Sequence, residues 1–248
     1  MHLVTFTSNG ITRTGRLEGE EVVDLAAGGL PAEMTALLEA GVEAAARADG
    51  PRLALAEVRL ESPVLRPPKI LAVGLNYADH VAETGMDRPK FPMIFNKQST
   101  AASGPYAPFH RPKVSKALDY EGELAVVVGR RCRHVPRDRA LDVVAGYCIA
   151  NDVSVRDWQL RVPTMTMGKS FDTHCPLGPA IVTPDELGDG SGLDLRTFVN
   201  GEIRQQSNTR ELIFDVAALI EHLSTAFTLE VGDVISTGTP GGVAVAMK

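Results

Sequence analysis

The chain has 248 residues, 44% of them hydrophobic and 23% charged, and a net charge of -6. It can bury a sizeable core as one large domain, or one with a small appendage, and its scattered basic residues argue against a nucleic-acid surface. No apolar run reaches the length of a membrane span, the N-terminal Met1-His-Leu-Val-Thr-Phe lacks a signal-peptide layout, and Cys132, Cys148 and Cys175 form no C-x-x-C pair; a cytoplasmic protein without a membrane partner, disulfide framework or zinc knuckle is expected.

The first stretch reads as short strands over Leu3 to Thr7, Thr12 to Glu18 and Glu21 to Leu25, with Asn9-Gly10 and Glu18-Gly19 as hairpin turns. Pro31 to Ala48 predicts one helix: proline suits a first turn, and Met34, Leu37, Leu38 and Val42 recur at helical spacing. Gly50-Pro51 ends it. The proline-rich Ser62-Pro-Val-Leu-Arg-Pro-Pro68 reads as a linker, dividing a small N-terminal module (1–62) from a main domain (69–248).

Lys69 to Gly74 predicts a buried strand, and the residues after it a helical turn carrying His80 and Glu83. Three apart on a helix, these two are neighbours, and a carboxylate on one imidazole nitrogen makes the other a candidate base; an incidental surface pair is the alternative. A loop rich in glycine and proline (Gly85, Pro89, Pro92) follows.

Leu124 to Val128 is a run of apolar residues expected to form a mostly buried strand. Glu121 and Glu123 stand just before it, two apart, so on extended backbone both carboxylates face one way. Two like charges beside a buried strand need a partner, and an all-oxygen set suits Mg²⁺, Mn²⁺ or Ca²⁺; a solvated strand end is the plainer reading. Pro136 to Val144 predicts a helix, and Gly146 to Ala150 a further strand with Asp152 just beyond it, placed to be a third oxygen ligand or else a helix cap. Arg156 to Arg161 is helical in tendency, with Trp158 a packing residue. In the loop that follows, Lys169 is the cation placed to face an anion; a surface lysine is the alternative. Leu193 to Gln206 predicts a hairpin turning at Asn200-Gly201, and Ile213 to Ala226 an amphipathic helix. The closing Gly/Thr loop, Thr237 to Gly242, has neither a phosphate-loop nor a dinucleotide pattern, although its hydroxyls and N–H groups can grip a small carboxylate.

Together these segments resemble the fumarylacetoacetate hydrolase family. The resemblance rests on Gly74-Leu-Asn-Tyr with His80-Val-Ala-Glu83, Tyr120-Glu-Gly-Glu-Leu124, Ala150-Asn-Asp-Val-Ser154, Gly168-Lys-Ser-Phe-Asp172 with Cys175-Pro-Leu-Gly-Pro179, and Gly232-Asp-Val-Ile with Thr237-Gly-Thr-Pro240, all in the family's order. It covers the chain from about Lys69 onward. It implies a mainly β fold with α (α+β), a mixed β-roll catalytic domain, a homodimer, and Mg²⁺ or Mn²⁺ held by Glu121, Glu123 and Asp152.

The same resemblance makes His80 and Glu83 an acid–base dyad on a mobile lid, and Lys169 the active-site lysine. It makes Gln159 and Arg156 substrate contacts, and Thr239 a carboxylate-binding residue. Family members usually continue for a few strands beyond the Thr-Gly-Thr-Pro loop, so the domain is expected to be incomplete at its C-terminal end. The implied substrates are small 2-oxo acids, through hydrolytic C–C cleavage of an acylpyruvate-like compound, decarboxylation or tautomerisation of oxaloacetate, or a hydroxymuconate-type isomerisation. A non-catalytic metal- or ligand-binding protein on the same fold is the rival from another class.

Overall fold

The apolar run before Gly129 is unbroken because its strand is covered on both faces. In a computed structural model, which describes residues 1–246, the strand Gly122–Val128 is buried throughout. Leu124, Val126 and Val128 pack with Leu71, Val73 and Ile235 beneath Leu219, Ile220 and Leu223 of the helix Val216–Ala226. Ala125 and Val127, pointing the other way, join Leu3, Val23, Leu37 and Ile181. Alternate side chains of one strand thus enter two cores, and a strand buried on both faces shows no polar alternation.

Among the described residues the main sheet has 12 strands. Its principal path runs Arg52–Ala54, Glu21–Asp24, Ile11–Glu18, His2–Ser8, Cys175–Val182, Val144–Asn151, Gly122–Val128, Val234–Ser236, Ile70–Gly74 and Met93–Lys97. Most neighbours are antiparallel, but Val234–Ser236 runs parallel to Ile70–Gly74, so the sheet is mixed as the resemblance implied. The N-terminal strand joins it through His2 opposite Val182 and Leu3 opposite Ile181. The expected hairpin turns at Asn9-Gly10 and Asn200-Gly201 form with positive φ at both residues of each pair.

Three expectations change. The helix read over Pro31 to Ala48 is two, Met34–Ala40 and Val42–Arg47, because Gly41 lies between them at φ 96 and ψ 139, outside helical space. The helix read over Pro136 to Val144 is a 3₁₀ segment, Arg137–Val143. The proline-rich stretch is packed rather than loose: Ser62, Pro63, Val64 and Pro67 are buried, and Thr5 donates to the Pro63 carbonyl at 2.6 Å. The further strands expected at the C-terminus lie outside the described residues.

Asn76 ties three segments together and is fully buried. Its Nδ2 donates to the Phe214 and Thr237 carbonyls at 3.0 and 2.7 Å, and its Oδ1 accepts from the Phe214 N–H at 2.8 Å. Asn76→Ala would leave buried backbone groups unpaired, each costing about 1–3 kcal/mol. We expect a loss of roughly 3 kcal/mol, read as a lower denaturant midpoint with an unchanged slope.

Candidate active site

Strand register builds the site. Gly122 pairs with Asn151 and Glu123 with Ala150, and beyond that ladder the Asp152 N–H donates to the Glu121 carbonyl at 2.9 Å. Glu121, Glu123 and Asp152 converge, each offering an oxygen within 4.8 Å of the others, and all three are buried. Glu123 is seated by the Ser236 hydroxyl and by the Gly238 N–H at 2.9 Å, both donating to its Oε2.

Cations close around this cluster. Lys169 Nζ donates to Glu121 Oε2 and Asp152 Oδ2, both at 2.8 Å. Lys97 Nζ donates to Asp152 Oδ1 at 2.6 Å and to the carbonyls of Val153 and Lys169. Arg156 reaches Glu121 Oε1 at 2.6 Å and Asp119 Oδ2 at 2.7 Å. The electrostatic consequences diverge. Burial, reinforced by Asp152 and Glu121, pushes the Glu123 carboxyl up to about 8. Burial acts the same way on Asp152, but Lys169 and Lys97 outweigh it and hold that carboxyl below its ordinary range. Burial also works against the Lys169 ammonium, yet Asp152 and Glu121 overcome it and raise its pKa.

The dyad sits on the helix Ala78–Thr84, which Gly85 ends in left-handed backbone. His80 Nδ1 lies 3.1 Å from Glu83 Oε2, and Glu83 Oε1 accepts from the Gly242 N–H at 2.9 Å. The helix is therefore docked on the Gly/Thr loop rather than swung away from it. Gly242, at φ +99, cannot carry a side chain: a Cβ would stand 2.0 Å from the Arg204 carbonyl oxygen.

Beneath that helix lies a cavity of about 290 Å³, lined by His80, Glu121, Arg156, Gln159, Lys169 and Thr239 among others. Gln159 Oε1 accepts from Arg156 Nη1 at 2.8 Å. The Thr239 hydroxyl donates to the Gly122 carbonyl at 3.0 Å and accepts from Gln205 Nε2 at 2.7 Å. The segment Thr166–Lys169 packs on Arg156–Gln159 through Gly168, where a Cβ would meet the Gln159 nitrogen at 2.1 Å.

Of the nine residues singled out in the sequence, six line this cavity; Glu123 and Asp152 lie beside Glu121, and Glu83 lies behind His80. Asp152 caps no helix; the segment Arg156–Gln159 begins without a side-chain cap. Sequence reasoning passed over Lys97, Asp119 and Gln205. Lys97 left a faint signal: it lies two residues after Phe95 on an edge strand, and both are buried, an odd place for lysine without a partner. Asp119 holds Arg156 and also accepts from the N–H groups of Ala244 and Val245.

Fold and site together describe an α+β protein with an oxygen-ligand cluster at the base of a small cavity. The chain belongs to the fumarylacetoacetate hydrolase family: residues 69–248 match the model described as "Fumarylacetoacetate (FAA) hydrolase C-terminal". Residues 1–63 match that described as "Rv2993c-like, N-terminal". Among its relatives is the mitochondrial oxaloacetate tautomerase fahd2 of Xenopus laevis, 41% identical over 93% of this chain and 76% of that protein. Among solved structures it resembles 5-carboxymethyl-2-hydroxymuconate delta-isomerase from Mycobacterium smegmatis (39% identical, TM-score 0.83, covering 98% of this chain and 90% of that one). It also resembles maleylpyruvate hydrolase from Sphingobium sp. SYK-6, solved with manganese(II) and pyruvate (36% identical, TM-score 0.81, 98% and 90% covered).

The donor set fits a divalent cation. Three carboxylates converge, and Glu123, seated by the neutral Ser236 hydroxyl and Gly238 N–H, favours its protonated form in the absence of added positive charge. Mn²⁺ uptake should therefore release a proton near neutrality, and apparent affinity should rise with pH, as calorimetry in buffers of different ionisation enthalpy will show. Glu121→Ala and Glu123→Ala should lose Mn²⁺ binding. Asp152→Ala should also lose several kcal/mol of stability, about 3–5 for a broken buried pair, because it strands Lys97 and leaves Lys169 with Glu121 alone.

Proposed function

We propose that this chain is a Mg²⁺- or Mn²⁺-dependent enzyme acting on small 2-oxo acids, cleaving the C–C bond of an acylpyruvate-like substrate with water. The observation that carries this reading is the docked His80–Glu83 pair above a carboxylate cluster already furnished with a lysine. Glu121, Glu123 and Asp152 would hold the cation, which supplies Lewis acidity to a chelated 2-oxo acid and to the enolate that develops from it. Lys169 adds a buried positive charge beside the same oxygens. His80, its Nδ1 engaged by Glu83, keeps Nε2 to accept a proton from water.

The water oxygen bonds to the C4 carbonyl carbon, and the C3–C4 bond then breaks. Its electron pair passes into the enolate of the 2-oxo acid, which is protonated at C3, while C4 leaves as a carboxylic acid. Pyruvate in the Sphingobium hydrolase is the kind of product such cleavage leaves, which supports the reading. The Xenopus relative supports a second, tautomerisation of oxaloacetate at the same site; decarboxylation there would likewise need no activated water.

One variant separates the two. His80→Ala should abolish acylpyruvate cleavage while leaving much of any oxaloacetate decarboxylation; parallel loss of both would remove the water-activating role of His80. Lys169→Met should lower kcat on the order of 10²-fold, as loss of a transition-state electrostatic contact does; an unchanged kcat would free Lys169 of that part. Inertness toward both acetylpyruvate and oxaloacetate in Mg²⁺ would favour a binding protein.

A further inference from the structure

Gln205 is the one buried residue of the strand Glu202–Asn208. Among the described residues that strand pairs with Asp194–Val199 in a two-stranded sheet apart from the main one. A buried amide needs partners for its oxygen and for both of its N–H bonds, and Gln205 has all three. Its Oε1 accepts from the Gly122 N–H at 2.9 Å. Its Nε2 donates to the Thr239 hydroxyl oxygen at 2.7 Å and to the Pro240 carbonyl at 2.9 Å. Two of these partners are backbone groups of fixed sense, so the amide has one orientation. Only its oxygen satisfies the Gly122 N–H, and only its nitrogen satisfies the Pro240 carbonyl.

That orientation dictates what Thr239 can do. A hydroxyl oxygen has one proton and two lone pairs. Gln205 takes one lone pair and so bars the proton from that direction. In this structure the proton goes to the Gly122 carbonyl, 3.0 Å away. Thr239 also lines the cavity, together with Lys169 and Arg156, and its remaining direction serves a ligand there. A carboxylate brings acceptors only, and it binds a hydroxyl by taking its proton. Rotation about the Cβ–Oγ bond carries the proton from the Gly122 carbonyl to such a ligand with the Gln205 contact unbroken. With an acceptor in place of the Gln205 nitrogen, the proton would turn toward it, and a lone pair would face the carboxylate instead.

Resting on the 2-oxo acid reading above, we infer that Gln205 is a positioning residue that holds the Thr239 hydroxyl as a donor to the substrate's carboxylate. It acts through Thr239 rather than on the substrate. The same amide ties the peptide between Glu121 and Glu123 to the Gly/Thr loop, so the carboxylate seat and the metal cluster are built onto one side chain.

The test is a double-mutant cycle on the full chain, read by calorimetric titration of pyruvate in saturating Mn²⁺. Gln205→Glu keeps an acceptor for the Gly122 N–H and removes the donor to Thr239. It should weaken pyruvate about tenfold or more, the loss expected for a hydrogen bond to a charged group, with Mn²⁺ affinity retained. Thr239→Val should cost a similar factor, and the double variant should bind no more weakly than Thr239→Val alone. Thr239→Ser, which restores the hydroxyl, should restore the dependence on Gln205. In turnover the loss should fall on KM with kcat little changed. Should Gln205→Glu not fold, Gln205→Met completes the same cycle with a smaller loss of the same kind.

Losses that multiply in the double variant, or Mn²⁺ affinity falling in step with pyruvate affinity, would reduce Gln205 to a prop of the fold; the inference is then overturned and the 2-oxo acid reading stands. Coupled losses in a chain that cleaves no acylpyruvate support the inference and remove the hydrolytic reading. Failure of the unmodified chain to bind pyruvate in Mn²⁺ overturns both.

Discussion

Everything in this molecule accommodates one electrostatic demand, the burial of Glu121, Glu123 and Asp152 within a few ångströms of one another. Removing carboxylates from water is expensive, and their mutual repulsion adds to the cost. Asp152 meets it with two lysines, one on each oxygen, and Glu121 with a lysine and an arginine. Glu123 has hydroxyl and amide donors but, among the described residues, no cation in contact, so its charge is the one left for an added ion to stabilise. Lys97 is the fixed member of the set, since its ammonium also donates to two backbone carbonyls. Lys169 touches two of the three carboxylates and lines the cavity, so it joins the buried cluster to the open space above it.

The sheet makes such a cluster affordable. Gly122–Val128 is central and covered on both faces, so side chains at its start are drawn out of solvent together. The flanking strands Val144–Asn151 and Val234–Ser236 hold it in register, which places Asp152 on one side and the Ser236 and Gly238 donors on the other. Asn76 and Glu83 then lock the remaining pieces, one joining the strand end to the loop before Val216–Ala226, the other the dyad helix to Gly242. The family resemblance and the solved relatives describe the same arrangement of sheet and helices, which is why the functional reading turns on side chains rather than on the fold.

Much of this was legible in the residues themselves. A two-residue carboxylate spacing places Glu121 and Glu123 on one side of extended backbone, and three-residue spacing places His80 beside Glu83 on a helix; both are local geometry, and both formed. Hairpin turns at Asn9-Gly10 and Asn200-Gly201 are equally local. The break at Gly41 was visible only as a glycine, because apolar spacing continued across it.

What the sequence by itself determined, then, is whatever depends on neighbours along the chain: strand and helix periods, turns, the paired glutamates and the dyad, and through ordered motifs the family. Tertiary structure alone decided the pairings. Lys97 meets Asp152 across 55 residues, and Asp119 receives both Arg156 and the backbone near Ala244. No periodicity carries such contacts, since they exist only where strands distant in sequence are brought side by side. The apolar lining of the cavity is of the same kind. Its methionines, leucines and phenylalanine come from separate segments between Leu75 and Met165, and folding alone makes them one surface.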